Sequence, residues 1–267
     1  MNETFDTERF PKVGADRQLY IRDIEFANLH INHDKMDLLC NYLDLAQAFR
    51  VEEDFSYLDT GHWTIVYTGG NGSATIIDWP CGLAEFVPDV HAGDDVEVFT
   101  PAQVFELHSG YPAYFEIRGK IWGFSDCDFW FGLVDAGFFA GAYTNCVIWK
   151  KDDGDTELDY LCTTPDGTTA GTADVDIIGG DEVFGRLGIY WDGKGNVAFI
   201  GLADGDWPEA VVFVHVVSAF IPTDITMYLG FGFQIGALAG ANALYVDYVK
   251  GVQRRLLYEY EVPRKPQ

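Results

Sequence analysis

The chain has 267 residues and carries 42 acidic against 17 basic side chains, a formal net charge of −25. A field of that sign repels phosphate backbones and anionic membrane surfaces, so direct nucleic-acid binding is not expected. Apolar residues make up 48% and aromatics 15%, with 29 glycines; this is a composition of strand and turn formers, and a single globular, mostly β domain is the default.

Residues 1–18 are polar and turn-rich and read as an arm without a core of its own. The opening MNETFDTERFPKVGADR lacks the basic and then apolar pattern of a secretory signal, and no stretch reaches the ~18 apolar residues of a membrane span. A soluble protein made in a host cytoplasm, with no membrane contact, is expected. Residues 19–26, with Leu19 and Ile21, form a strand candidate. From Asp34 the spacing changes: Met36, Leu39, Cys40, Leu43 and Ala46 recur at helical intervals, with Asp34 capping the first turn and Arg50 near the last. The apolar stripe of this predicted helix needs a cover, either the sandwich edge or a neighbouring subunit.

Short strand candidates follow from residue 52 at regular spacing. Residues 63–68 and 73–78 flank Gly69-Gly70-Asn71-Gly72 and read as a hairpin, and 96–100 and 103–108 flank Pro101. Phe115, Ile117, Gly119 and Ile121 alternate with Glu116, Arg118 and Lys120, the period-two signature of a half-buried strand. After the turn at 123–126, residues 129–134 are apolar on both faces, as in a strand covered on both sides. These two are expected to form a strand pair, with Gly132 marking a bulge or a close backbone approach. Residues 145–150 and 157–163 flank the acidic turn Asp152-Asp153-Gly154-Asp155, and 163–176 reads as a long hairpin loop or weakly paired strands. Leu187, Ile189 and Trp191, the turn Asp192-Gly193-Lys194-Gly195-Asn196 and residues 197–202 give the clearest hairpin. Residues 211–220, 227–234 and 244–249 complete the set, and Arg254, Arg255, Arg264 and Lys265 form a basic tail.

About a dozen strands without alternating long helices predict an all-β fold, an antiparallel two-sheet jelly-roll sandwich. Its expected core is Phe115, Ile117, Ile121, Phe129, Phe131, Leu187, Ile189, Trp191, Phe199 and Tyr245. The expected boundaries are an attachment arm with helix at 1–51, the sandwich at 52–257 and a tail at 258–267. Cys40, Cys81, Cys127, Cys146 and Cys162 are odd in number and lack CxxC spacing, which reads as buried free thiols.

The segments Glu53-Asp54-Phe55 with Trp63, then 114–121, 128–135, 150–160 with its Lys-Asp-Asp-Gly-Asp core, 187–197 and Tyr245-Val246-Asp247-Tyr248-Val249 together resemble, over residues 52–256, the concanavalin A-like, laminarinase-like jelly roll of tailed-phage virion proteins. The resemblance implies a non-enzymatic capsid decoration or cement protein on the outer surface of a virion. Its partners would be the major capsid protein and itself, as a homotrimer. Leu19, Ile21, Met36, Leu39 and Leu43 are the expected partner contacts. The alternative is a carbohydrate-binding head or tail fibre module, with Trp79 and Trp207 as glycan contacts beside the loop aromatics Tyr111 and Tyr143. A glycoside hydrolase is the third reading.

Laminarinase-like hydrolases carry a Glu, an Asp two residues on and a further Glu on one strand face. That pattern is missing: Asp95-Val96-Glu97 and Glu157-Leu158-Asp159 each lack the third carboxylate and read as solvated strand faces. His30, His33, His62, His91, His108 and His215 show no zinc spacing. Asp152, Asp153 and Asp155 read as a turn rather than a calcium loop, and no phosphate loop or nucleophile elbow appears. No catalytic residue, metal or cofactor is expected.

Overall fold

The computed structural model describes residues 12–13, 19–20 and 48–254, apart from residues 57, 59–60, 78–81, 124–125, 174–183, 204–210 and 238–241. Strands β1 (Lys12–Val13) and β2 (Leu19–Tyr20) pair with each other, Leu19 opposite Val13. The first large sheet runs β16 (Val211–Val217), β15 (Asn196–Ala203), β14 (Gly185–Trp191), β9 (Ala113–Trp122), β18 (Ala243–Arg254), β6 (Leu83–Val87), β5 (Ser73–Ile77), with β3 (Ala48–Glu53) also on β18. The second runs β13 (Gly167–Thr172), β12 (Asp159–Thr164), β11 (Cys146–Lys151), β10 (Cys127–Val134), β17 (Thr226–Ile235), β7 (Asp95–Phe99), β4 (Thr64–Thr68), with β8 (Phe105–Glu106) on β17. Every pairing is antiparallel, and no helix occurs among the described residues.

The two inner faces bury one core. Phe115, Ile117, Ile121, Leu187, Ile189 and Trp191 of the first sheet meet Phe129, Phe131, Leu133, Trp149, Phe231 and Phe233 of the second. Aromatic rings bridge the layers, Phe86 to Phe231 at 5.2 Å and Trp149 to Phe199 at 5.3 Å between centroids. Such ring pairs add about 0.5–1.5 kcal/mol beyond the area they bury. The Trp149 indole N–H also donates across the core to the Gly188 carbonyl at 3.0 Å.

Several expectations change here. The strands β9 and β10 do not pair: β9 lies between β14 and β18, and β10 between β11 and β17 in the other sheet. Both edges of each strand are already taken, those of β9 by β14 and β18 and those of β10 by β11 and β17, so the chain between them has to pass from one layer to the other. The turn between them, with Gly123 at φ 79°, is therefore a crossing between layers. The glycine turn at 69–72 crosses likewise, joining β4 of the second sheet to β5 of the first. Tyr245, expected in the core, points outward, because Leu244 and Val246 take the inner side before the irregularity of β18 between Val246 and Tyr248. The predicted helix extends to Arg50, yet residues 48–50 are strand, with Arg50 opposite Val252 and Phe49 packed on Phe105 at 5.3 Å. The sheet thus begins four residues before the boundary drawn at 52. Residues 34–47, including Met36, Leu39 and Leu43, lie outside the described residues, as does Ile21.

Other expectations hold. Gly132 sits at φ 145°, and a Cβ there would lie 2.3 Å from the Val147 carbonyl oxygen, a close approach of two backbones. The 163–176 stretch differs from the long loop or weakly paired strands expected of it: it contains β13, paired along its whole length with β12. Cys127, Cys146 and Cys162 are buried and free, and burial pushes the Cys127 and Cys146 thiols up to about 12. Cys40 and Cys81 lie outside the described residues. The Glu53, Phe55 and Trp63 constellation forms a corner: Glu53 accepts the Phe55 N–H at 3.1 Å and the Trp63 indole N–H at 3.3 Å.

A chain beginning at residue 54 loses the β3 ladder, the Phe49 contact and that buried carboxylate. Against a chain beginning at residue 46, its unfolding free energy is expected to fall by about 3 kcal/mol, read from urea midpoints. Equal midpoints would place β3 outside the cooperative unit.

Candidate functional site

The outer face of the second sheet is built by two glycines and a tryptophan. Gly232 and Gly230 of β17 lie beside Trp130 of β10, and Cβ atoms on them would fall 2.2 Å from its Nε1 and 2.9 Å from its Cη2. The bare backbone lets the indole lie flat on the sheet. On it rests the loop 135–145, whose Phe138 and Tyr143 rings stack at 4.7 Å and 19°, with Phe138 5.7 Å from Trp130. Phe99, Trp130, Val134, Cys146, Ile148 and Leu161 form this second apolar cluster.

Glu97 fastens the loop. It stands on the outer side of β7, opposite Gly232, and its Oε1 accepts the N–H groups of Phe138 at 2.7 Å and Phe139 at 3.1 Å. Burial raises its carboxyl above the ordinary 4.5, opposed by those two N–H groups. Asp95, two residues away on the same face, is likewise raised by burial and eased by Thr68 and Gln234. These two carboxylates were expected on a solvated strand face; they are 5% and 4% exposed, because the loop and the neighbouring strands cover them. Asp159 is half-buried and Glu157 exposed.

At the base of the loop a cleft of about 380 Å³ opens between Thr64, Phe99, Thr100, Pro101, Asp135, Ala136, Gly137 and Tyr228, within the ~300–1,000 Å³ range of small-molecule sites. The Asp135 carboxylate accepts the Thr144 N–H at 2.9 Å, the Thr144 hydroxyl at 2.6 Å and the Asn145 amide at 2.8 Å. Burial opposes its ionisation, but these donors outweigh it and hold the carboxyl below its ordinary value. Opposite, Tyr228 leans on Phe99 at 5.7 Å. The cleft therefore offers an ionised acceptor, the exposed hydroxyl-bearing Thr64 and a half-buried aromatic ring. None of its lining residues stood out in the sequence as part of a site, since they come from β4, β7, β17 and loops far apart in the chain.

Of the residues that the sequence suggested for glycans, Trp79 and Trp207 lie outside the described residues. Tyr143 packs into the loop, and Tyr111 stands 4.9 Å from His108. Among the described residues, ligand atoms come together in three groups: Asp89, His91 and Asp94; Glu106, His108 and Asp224; Asp152, Asp155 and Asp159. Asp153 is otherwise engaged, receiving the Ala237 N–H at 2.8 Å. The Asp192 turn is hairpin chemistry, its Oδ1 accepting the Lys194 N–H at 2.6 Å and the Asn196 N–H at 3.1 Å.

No protein-family model and no curated protein matches the chain. Solved structures share its fold. Arcelin-5, a lectin-like defense protein from Phaseolus vulgaris, superposes with a TM-score of 0.57 at 12% identity, over 79% of this chain and 100% of its own. The endo-1,3-beta-glucanase of Streptomyces sioyaensis gives 0.54 at 15% identity, over 79% and 98%. The winged bean acidic lectin in complex with methyl-α-D-galactose gives 0.57 at 8% identity, over 78% and 98%. The sandwich is thus of the concanavalin A-like lectin and glucanase jelly-roll type.

The raised Glu97 carboxyl has a consequence for stability. A carboxyl whose folded pKa exceeds its unfolded one stabilises the fold below about pH 4.5, and that contribution is lost as pH rises through the folded value. Glu97→Gln keeps an oxygen for the two N–H groups but does not titrate. Its stability is expected to decline less than that of the parent chain as pH rises above 4.5, followed by urea unfolding at successive pH values. Parallel curves for the two proteins would contradict the assignment.

Proposed function

We propose that the protein is a non-catalytic carbohydrate-binding sandwich whose site is the cleft between Asp135 and Tyr228. The observation that carries this reading is the pairing of an ionised, triply hydrogen-bonded carboxylate with an aromatic ring in a preformed cleft. A sugar ring needs both, an acceptor for its hydroxyls and a flat apolar surface for its C–H face. The fold supports it as well, being shared with lectins, one of them bound to methyl-α-D-galactose.

Glycoside cleavage is less well supported. Retaining chemistry needs a nucleophile and an acid ~5–5.5 Å apart with access to the glycosidic bond. Asp95 and Glu97 have strand spacing suited to such a pair, yet Glu97 is closed off by the amides of Phe138 and Phe139.

A second reading, decoration of the outer surface of a tailed-phage capsid by a homotrimer bound to the major capsid protein, draws on the sequence resemblance and on the net charge of −25. A packaged genome repels such a charge, which favours the outer side of a shell. Electron microscopy of the source particle tests it: regular surface density of this mass supports decoration, and a bare capsid removes it.

The carbohydrate reading is tested on a glycan array. Reproducible binding is expected to weaken at least tenfold in Tyr228→Ala and to persist in Val217→Ser, a change on the exposed far face of β16. No binding to any glycan, or binding indifferent to Tyr228, would overturn it.

A further inference from the structure

Two passages of the chain between the sheets lie side by side. The turn at 69–72 joins β4 to β5, and the loop at 88–94 joins β6 to β7. The Asn71 amide ties them together, donating to the Asp89 Oδ2 at 3.1 Å. The second loop is also held to β17, by the Gly93 N–H on the Ile235 carbonyl at 2.8 Å and the Gln234 amide on the Gly93 carbonyl at 3.1 Å. Gly69 leaves the space that Asp94 fills, since a Cβ there would fall 2.1 Å from the Asp94 Oδ1.

This corner holds two carboxylates that the chain does little to neutralise. Residues 51–117 contain no lysine and no arginine. The side chains of Asp89 and Asp94 are 11% and 14% exposed, and among the described residues their one ion-pair partner is His91, 76% exposed. One ligand atom from each of the three residues lies within 4.8 Å of the others. The His91 Nδ1 stands 3.3 Å from the Asp94 Oδ2 and 4.0 Å from the Asp89 Oδ2, yet among the described residues the ring makes no hydrogen bond to either. The bond between His91 and Asp94 runs instead from the His91 backbone N–H to the Asp94 Oδ2, at 3.0 Å.

That is the spacing of ligands around an ion. A tetrahedral zinc with bonds of ~2.0–2.1 Å sets its ligand atoms about 3.3 Å apart, and the exposed imidazole is free to close the longer of the two distances. The carboxylates are already oriented from outside, Asp89 by the Asn71 amide and by the Val90 N–H at 2.8 Å, Asp94 by the His91 N–H. Hydrogen bonds of this kind make up the outer shell of a metal site. The other two groups of ligand atoms are already engaged: the His108 ring is hydrogen-bonded to Asp224, and Asp152, in the all-oxygen group with Asp155 and Asp159, takes the Lys150 ammonium. One nitrogen with two carboxylates also decides the class of ion. Calcium and magnesium prefer full shells of oxygen, whereas imidazole beside carboxylate suits zinc and its first-row neighbours.

We propose that Asp89, His91 and Asp94 form a site for a divalent first-row ion of the zinc class, held by the His91 Nδ1 and one oxygen of each carboxylate, with the remaining position open to water. The ion pins the β6–β7 passage beside the β4–β5 turn, and the site is independent of the cleft. Calorimetric titration of the chelator-treated full chain with zinc chloride tests it. One equivalent is expected to bind, with a dissociation constant raised at least tenfold in His91→Ala and about tenfold in Asn71→Ala, and unchanged in His108→Ala. Zinc is also expected to raise the thermal unfolding midpoint of the parent chain but not that of His91→Ala. An unchanged constant in His91→Ala overturns the proposal, and because that side chain is exposed the variant keeps its fold. So does loss of binding in His108→Ala, which would put the ion at the other histidine, or calcium competing on equal terms, which would make the corner a general counter-ion patch, or no stoichiometric binding of zinc.

Discussion

Glu97 stands on the outer side of β7 and takes two consecutive backbone N–H groups of the 135–145 loop on one oxygen. A sheet face that would otherwise be open to solvent is thereby covered by Phe138, Phe139 and Tyr143. The cleft depends on that loop being fixed, since Asp135, Ala136 and Gly137 at its start line it together with Phe99 and Tyr228. A buried carboxylate is an expensive anchor unless its acceptor positions are used, and here the amides of Phe138 and Phe139 use them. Gly230 and Gly232 complete the arrangement by letting Trp130 lie under the loop.

The two outer faces consequently differ. One is apolar, roofed and opens at an edge into a cleft with a single ionised carboxylate. The other is a patterned field of tyrosines, lysines and arginines on β9, β14 and β18, with Glu116 buried among them and receiving the Tyr114 hydroxyl at 2.5 Å. A common aromatic core separates them, so a change on one face is not expected to propagate to the other. Residues more than ~7–10 Å apart with no shared partner act additively.

Much of the fold was legible in the sequence, and the misses have physical causes. Period two in β9 and the continuous apolar run of β10 identified both strands and their faces, since Phe115 and Phe131 can only point inward. Their partners were not legible, because a four-residue turn serves equally for a hairpin and for a crossing between sheets; only the summed demand that both inner faces be covered decides. β6 was missed because Leu83-Ala84-Glu85-Phe86-Val87 is short and follows a proline-containing stretch. The extension of β18 through Gly251 to Arg254 was missed because Lys250-Gly251-Val252-Gln253-Arg254 has no period-two pattern, and the strand at Ala48–Glu53 because helical spacing upstream ran into it.

The site was less legible for a different reason. A cleft lined from Thr64, Phe99, Asp135 and Tyr228 has no local signature, and the one visible signal, the pair Asp95 and Glu97, read as solvent-facing until the loop was seen to cover it. The account turns on whether a sugar enters that cleft, and the most direct measurement is a titration of the isotope-labelled chain with methyl α-galactoside followed by amide NMR shifts. The account predicts saturable shifts confined to Thr64, Thr100, Ala136, Gly137 and Tyr228 with their immediate neighbours. Shifts clustered on the opposite sheet, or none at saturating sugar, would contradict it.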